Sequence, residues 1–170
     1  FRPPDLVVTN AVIAPCRSPV ATPAAPLEIR LATLLVQGGR IAEVAPESDV
    51  RRSWGDIAQI DASGYLLTPG LIDSHTHPVF SGNRAGEFER RIAGESYLAI
   101  AQAGGGIMRT VIATRAASDD ELERLVRGRL ARSLSFGVTT VEAKSGYGLD
   151  TENELRALRV LRHATVGQPV

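Results

Sequence analysis

The spacing of apolar residues changes near Pro69 in this 170-residue chain, and the change limits the folds that the chain can adopt. Up to residue 66, short apolar runs alternate with turn-forming residues, which is typical of β-strands. From residue 67 onward, short apolar runs alternate with longer stretches whose apolar residues recur at helical spacing. We therefore predict two domains, a β-rich portion over residues 1–66 and alternating strands and helices over residues 67–170.

Two hairpins are predicted within the β-rich portion. Residues 34–36 and 41–44 flank a Gly-Gly turn, which is a common hairpin connection. Residues 57–60 and 65–67 flank the turn-forming run Asp-Ala-Ser-Gly, and we expect these two strands to pair with each other. The portion as a whole is expected to be a small antiparallel β unit.

The second portion is predicted to contain a parallel sheet. Helices are expected at 96–103, at 118–136 after a Ser-x-x-Glu capping box, and at 151–163. The β-branched run at 138–143 predicts a buried strand between the last two helices. Strands that alternate with helices favour a parallel α/β sheet, but a closed (β/α)8 barrel takes about 250 residues. The chain is therefore expected to form only the first part of such a barrel.

The charge and the cysteine content exclude several functional classes. Lys and Arg number 19, as do Asp and Glu, so the net charge predicts no basic surface for nucleic acid or an anionic membrane. The single cysteine, Cys16, excludes an internal disulfide and favours the reducing cytoplasm. No apolar run approaches the roughly 20 residues that a transmembrane helix requires, so we expect no membrane partner.

His75 and His77 are the candidate metal ligands. Residues two apart on a strand point to the same side, so both imidazoles can reach one metal ion. A bare His-x-His pair is more often two ordinary histidines, because short motifs match by chance. Here the pair ends an apolar strand, and the carboxyl ends of strands carry the active sites of α/β barrels, which favours a metal site.

Two motifs resemble those of known enzymes. The run Thr-Pro-Gly-Leu-Ile-Asp-Ser-His-Thr-His at 68–77 resembles the metal-site signature of the amidohydrolase superfamily. The run Val-Glu-Ala-Lys-Ser-Gly-Tyr-Gly-Leu at 141–149, with those at 80–88, 103–107 and 113–118, more closely resembles the imidazolonepropionase family. The resemblance covers nearly the whole chain. It implies an α/β fold, the incomplete N-terminal part of a (β/α)8 metal-hydrolase barrel, preceded by part of a small β-sandwich.

The resemblance also implies a reaction and a set of site residues. The family hydrolyses 4-imidazolone-5-propanoate to N-formimidoyl-L-glutamate in histidine degradation and holds one zinc or iron ion. His75 and His77 match two of its metal ligands, Arg84 matches the residue that grips the substrate carboxylate, and Tyr97 and Tyr147 match substrate-contacting tyrosines. The other ligands and the proton-transferring Glu of the family lie downstream, so no catalytic residue is assigned in this segment. We expect the 170-residue chain alone to be inactive.

Two further basic residues have less specific interpretations. Lys144 is the only lysine among 19 Lys and Arg residues, and it lies at a strand end within the most distinctive motif. It is interpreted as a structural or substrate-side ammonium paired with Glu142, as a carbamylated metal bridge of the kind found in some amidohydrolases, or as a chance survivor. His163 lies in the last turn of a predicted helix, where the helix dipole favours a cation.

Alternative functions remain at this stage. The chain is also compatible with another amidohydrolase, such as a hydantoinase-like enzyme or a deaminase. A third hypothesis is an inactive fragment that serves as a β-rich binding or assembly module, with a structural His pair. We expect a small-molecule substrate bearing a carboxylate, no nucleic-acid partner, and a homodimer in the full-length form.

Overall fold

The computed structural model describes residues 3–16, 29–46 and 55–170. The chain divides into two compact units, Phe1–Pro69 and Gly70–Val170, with a boundary close to the change of pattern near residue 66. Across the described ranges, no helix has both the length and the apolar character needed to cross a membrane.

The first unit is built on one five-stranded sheet. Its strands are β1 (Leu6–Ile13), β2 (Arg30–Gln37), β3 (Arg40–Ala45), β4 (Ala58–Asp61) and β5 (Leu66–Leu67). The strand order is β3-β2-β1-β4, and β5 also pairs with β1. The first predicted hairpin is confirmed, because β2 and β3 pair antiparallel across Gly38 and Gly39, whose φ angles of 60° and 71° are positive.

The second predicted hairpin is wrong. β4 and β5 do not pair with each other; both run parallel to β1, with Val8 opposite Ile60 and Val12 opposite Leu66. The register between β1 and β2 shifts between Val8 and Ala11, and β4 pairs with residues 6–9 of β1 while β5 pairs with residues 12–13. Alternating apolar residues identify a strand but not its partner, so the unit is a mixed sheet rather than an antiparallel one.

The core of this unit lies on one face of the sheet. Its buried members are small or β-branched: Val8, Ala11, Ile13, Ala32 and Ala62. Such residues fit the pleated surface of a sheet and let its covering segments approach closely.

The second unit alternates strands and helices. In order these are β6 (Leu71–Thr76), α1 (Ala85–Ile92), α2 (Tyr97–Gln102), α3 (Ile107–Ala116), α4 (Asp119–Ser135), β7 (Val138–Ala143) and α5 (Thr151–Ala164). The predictions of α2, α4, β7 and α5 are confirmed, as is the parallel pairing of β6 with β7. The N–H of Glu121 donates to Ser118 Oγ at 3.2 Å, so α4 begins where its capping signal indicated. Helices α1 and α3 were not predicted.

Helices α4 and α5 pack against each other and form the main core of this unit. Their buried residues recur at helical spacing: Leu122, Val126 and Leu130 on α4, and Ala157, Val160 and Ala164 on α5. The sheet is much less covered. No residue of β7 is buried, and Leu71 and Ile72 of β6 are 55% and 72% exposed. The prediction that β7 is a buried strand is therefore wrong for this chain, because in the described residues its sheet has only two strands.

Candidate metal and substrate site

The two candidate metal ligands lie where β6 ends. His75 is in the strand and His77 follows its last residue, so the two-residue period of the strand brings both rings to the same side. Their Nε2 atoms are 3.1 Å apart, and the ring planes meet at 62°. Since β6 and β7 are parallel, the pair lies at the carboxyl end of a parallel strand, as the sequence predicted.

The separation of the two Nε2 atoms fits a shared metal ion. Two nitrogens that each lie about 2.0–2.1 Å from one ion are roughly 3 Å apart at an N–metal–N angle of about 100°. The same 3.1 Å also allows one Nε2–H to donate to the other ring. Within residues 3–16, 29–46 and 55–170, no group of three His, Cys, Asp or Glu side chains could hold a metal ion. The described residues thus bring together two candidate ligands and no third.

His77 is closely surrounded by the loop that follows β7. A Cβ atom added to Gly146 would lie 2.8 Å from both Cε1 and Nδ1 of His77, so only glycine leaves room for the ring. The Tyr147 ring meets the His77 ring edge-on, with centroids 5.9 Å apart. His77 Nδ1 is buried and has no hydrogen-bond partner in the part of the chain that the structure describes. Tyr147, which is predicted to contact the substrate, is therefore in ring contact with His77, the predicted metal ligand.

The loop over residues 144–150, which we call the β7–α5 loop, is held by side chains outside it. The carboxylate of Glu154 accepts hydrogen bonds from the N–H groups of Gly148 (2.8 Å) and Leu149 (2.7 Å). On its other side, Arg115 Nε donates to the Gly148 carbonyl at 2.8 Å. Asp150 caps α5 by accepting from the N–H of Asn153 at 2.8 Å. The position of Tyr147 is thus set from two helices.

The charges around this loop are stabilised by hydrogen bonds. Burial alone would raise the pKa of Glu154, but hydrogen bonds from Ser145 and from two backbone N–H groups outweigh it and keep this pKa below its usual value. Lys144 pairs with Glu142, as predicted, and its hydrogen bond is the main reason that the pKa of Glu142 is lowered.

The segment after His77 is fixed by an arginine of α4. Arg129 Nη1 donates to the carbonyl oxygens of Pro78 (2.6 Å) and Phe80 (2.7 Å). Its guanidinium carbon lies 3.5 Å from the centroid of the Phe80 ring, and that ring packs against Tyr147 with centroids 5.5 Å apart. Arg129 and Phe80 therefore extend the group of rings around His77.

Arg84 and Tyr97 lie together in one surface depression. Its volume is about 240 Å³, and its lining is Arg84, Glu87, Phe88, Arg91, Tyr97 and Ile100. The carboxylate of Glu87 is buried and accepts from the N–H of Gly106 with both oxygens, each at 3.1 Å. Arg84 Nη1 is 4.0 Å from that carboxylate, which leaves the guanidinium largely free to bind an anion. The structure brings these two predicted residues together, but none of the residues that line the depression belongs to the His75–His77–Tyr147 group.

His163 is remote from this chemistry. It lies in the last turn of α5, as predicted, and its Nδ1 is 3.3 Å from a carboxylate oxygen of Glu123. This contact supports the interpretation that His163 interacts with the end of its helix and is not a metal ligand.

Sequence reasoning missed four residues that shape the site. Glu87 and Arg115 lie in runs that resemble the family, but neither they nor Arg129 was singled out, because the backbone groups that they contact are far away in sequence. Glu154 was placed only within the predicted helix at 151–163, yet its carboxylate binds the β7–α5 loop while Asp150 caps the helix. Three consecutive glycines before α3 were one available signal, since a Cβ on Gly105 would lie 3.2 Å from the Glu87 carboxyl carbon.

Curated imidazolonepropionases are similar to this chain over most of its length. That of Pseudomonas savastanoi pv. phaseolicola is 54% identical over 142 residues, which cover 84% of this chain and 35% of the relative. That of Anaeromyxobacter dehalogenans is 50% identical over 159 residues, which cover 92% of this chain and 37% of the relative. The chain thus spans about a third of the length of these curated relatives, and the family resemblance that its motifs predicted is confirmed.

Family models and solved structures were also compared with the chain. No family model matches the chain. Among solved structures, molinate hydrolase aligns with 98% of this chain and 28% of its own, with a TM-score of 0.53 and 17% sequence identity. This likeness concerns the fold alone and agrees with the mixed α/β architecture described above.

Proposed function

We propose that this chain is the N-terminal portion of an imidazolonepropionase and contributes to the hydrolysis of 4-imidazolone-5-propanoate to N-formimidoyl-L-glutamate. The observation that carries the proposal is the 3.1 Å approach of His75 Nε2 to His77 Nε2 at the end of β6, with Tyr147 beside them. These residues lie in the motifs that resemble the family. In this proposal β6 and β7 are the first two strands of a (β/α)8 barrel, and the sheet of the first unit is part of a β-sandwich.

One zinc or iron ion is proposed as the cofactor, held in part by His75 and His77. Imidazole nitrogens suit both metals, and the spacing of the two Nε2 atoms is compatible with either. When bound, the ion would lower the pKa of a water molecule and polarise the ring carbonyl of the substrate. The remaining ligands and the proton-transferring Glu would come from residues downstream of this chain.

The chain's own residues would bind and orient the substrate. The guanidinium of Arg84 presents parallel N–H groups that match a carboxylate, so it would hold the propanoate group. Tyr97 lines the same depression, and Tyr147 lies beside His77. These three side chains would turn the imidazolone ring toward the metal and exclude water from the pocket around it. We also propose a homodimer for the full-length form.

The test measures metal content and turnover of imidazolone-propanoate by the full-length protein and by residues 1–170 alone. The full-length protein is expected to hold one metal ion and to hydrolyse this substrate. His75→Ala and His77→Ala should each abolish both properties, because each removes one of the few metal ligands. His163→Ala is the matched control and should keep both, since its ring pairs with Glu123.

Residues 1–170 alone are expected to be inactive, to bind metal poorly and to aggregate, because the sheet of β6 and β7 has open edges. A soluble monomer of these residues that binds one equivalent of zinc and hydrolyses the substrate would contradict the partial-site proposal. Turnover of hydantoins or aminated bases by the full-length protein, without turnover of imidazolone-propanoate, would place it with other amidohydrolases.

A further inference from the structure

We propose that Arg129 is a positioning residue, which sets the place of the Tyr147 ring through Phe80. The inference rests on the proposed function, in which Tyr147 contacts the substrate beside the metal ligand His77. Arg129 belongs to α4, a helix whose neighbouring residues Val126 and Leu130 are buried in the core. The contacts of Arg129 therefore link the packed part of the second unit to its site.

Arg129 holds both the backbone and the side chain of the segment after His77. Its Nη1 donates to the carbonyl oxygens of Pro78 and Phe80 at 2.6 and 2.7 Å, and its guanidinium carbon is 3.5 Å from the Phe80 ring centroid. Hydrogen bonds from a charged donor and a close cation–π contact are among the stronger polar interactions in proteins. Together they restrain the orientation of the Phe80 ring.

The oriented Phe80 ring then forms one side of the Tyr147 site. Phe80 and Tyr147 have centroids 5.5 Å apart, and Tyr147 and His77 have centroids 5.9 Å apart. Both distances lie in the range where aromatic rings attract each other edge-on or tilted. Tyr147 is thus held between a ring that Arg129 fixes and a proposed metal ligand.

The surroundings of Arg129 support a specific role. In the described part of the chain no carboxylate forms a salt bridge with Arg129, and burial lowers its pKa. A partly desolvated cation is costly unless its hydrogen bonds are well satisfied, and here backbone carbonyls satisfy them. Arg124, on the same helix, is exposed and does not line the depression around His77 and Phe80. It therefore provides a matched control.

A lysine could keep the charge of Arg129 but not its geometry. The planar guanidinium lies over a ring while its edge donates to two carbonyls, whereas an ammonium has no plane to stack. Arg129→Lys is therefore expected to fold and to show an intermediate effect, and Arg129→Met the full effect.

The first measurement is of kinetics in the metal-loaded full-length protein. Arg129→Met is expected to raise KM for imidazolone-propanoate about tenfold, the size of a coupling between residues in contact, with a smaller change in kcat. In a Phe80→Leu background the same substitution should raise KM no more than about threefold, because the ring that transmits its effect is gone. Arg124→Met should leave KM and kcat unchanged.

The second measurement does not depend on activity. Protein labelled with 3-fluorotyrosine gives a 19F resonance for Tyr147, identified by its loss in Tyr147→Phe. This resonance should shift in both Arg129 variants and stay in place in Arg124→Met. If the wild-type protein does not hydrolyse the substrate, the proposed function fails while the resonance still tests Arg129. An unshifted resonance, or Arg129 variants that lower only the melting temperature, would overturn the inference.

Discussion

The β7–α5 loop and the α1–α2 helices both carry proposed substrate contacts, but they are held by different kinds of interaction. The loop, which presents Tyr147, is fixed by hydrogen bonds from Arg115 and to Glu154. Gly148, next to Tyr147, is buried, although the loop has no regular secondary structure.

The α1–α2 helices, which present Arg84 and Tyr97, have regular structure but little packing. Each helix has one buried residue, Glu87 in α1 and Ile100 in α2. Large apolar side chains on both helices are exposed in the described part of the chain: Phe88, Ile92, Tyr97 and Leu98.

The difference shows that regular structure and a fixed position are separate properties. Polar side chains of neighbouring helices fix the loop, because backbone groups of the loop need hydrogen-bond partners when they are buried. The helices satisfy most of their own backbone groups, so apart from the hydrogen bonds between Glu87 and Gly106 they depend on apolar packing, and the described residues cover little of their apolar surface. We therefore expect substitutions in the loop to have larger effects than substitutions on the exposed faces of α1 and α2.

The largest effect is expected from Gly148→Ala. The added Cβ would lie 2.6 Å from the backbone nitrogen of Glu154 and 2.7 Å from the carbonyl carbon of Asn153. Backbone atoms cannot move aside as a flexible side chain can, so the start of α5 must shift. We expect a loss of about 3 kcal/mol in the free energy of unfolding, at the upper end of overpacking effects, measured by urea denaturation.

Gly128→Ala is the matched control for this substitution. Gly128 lies in α4, and nothing is within 4 Å of the position that its Cβ would take. An alanine there should stabilise the helix by about 0.4–1 kcal/mol. If Gly148→Ala were as harmless as Gly128→Ala, the loop would be less tightly held than its contacts indicate.

The next effect tests the α1–α2 helices with two alanine substitutions in α2. Ile100 is 1% exposed and Leu98 is 65% exposed. Ile100→Ala should cost about 2 kcal/mol, the lower end for a buried Ile, because α2 is short. Leu98→Ala should change the stability of the full-length protein by less than about 0.5 kcal/mol if this face stays as exposed as it is in the described residues. A large loss from Leu98→Ala would show that further residues cover this face.

Local signals in the sequence predicted much of the second unit but little of the first unit's pairing. Ser118 and the apolar spacing after it specify α4 from contacts within a few residues, so they could be interpreted directly. The pairing of β4 and β5 with β1 could not, because it joins residues such as Val8 and Ile60 through backbone bonds that leave no mark on residue type.

The site shows the same limit. His75 and His77 could be predicted because a strand's two-residue period puts both rings on one side. Tyr147 was predicted from the resemblance of its motif to the family, and not from a physical argument about its position. Arg129 could not be found, because its partners are carbonyl oxygens, which every residue possesses.

A third prediction concerns the proposed binding of a carboxylate by Arg84, which lies just before α1. Arg84→Lys should raise KM for imidazolone-propanoate about tenfold in the full-length protein, since the fork that holds a carboxylate with two hydrogen bonds is lost. A substrate without the carboxylate should be affected less. Arg90→Lys, on α1 but outside the lining of the depression, is the control and should leave KM unchanged, since Arg90 pairs with Glu95. Equal losses on both substrates would exclude Arg84 from carboxylate binding.

The smallest effect is a pH dependence of the β7–α5 loop. The pKa of Glu154 is lowered in the folded protein, so folding favours its ionised form. Its contribution is complete above the unfolded pKa of about 4.3 and is lost as the pH falls through the lower folded value. Glu154→Gln should therefore destabilise the protein by about 1 kcal/mol at pH 7, and the difference from wild type should shrink between about pH 5 and pH 3.

Glu152→Gln, in the exposed first turn of the same helix, should change the stability little at either pH. Amide exchange at Gly148 and Leu149 gives the local readout, because their N–H groups donate to Glu154. A difference that grows on acidification would mean that the ionised carboxylate does not hold the loop, and the contrast with the α1–α2 helices would then need another cause.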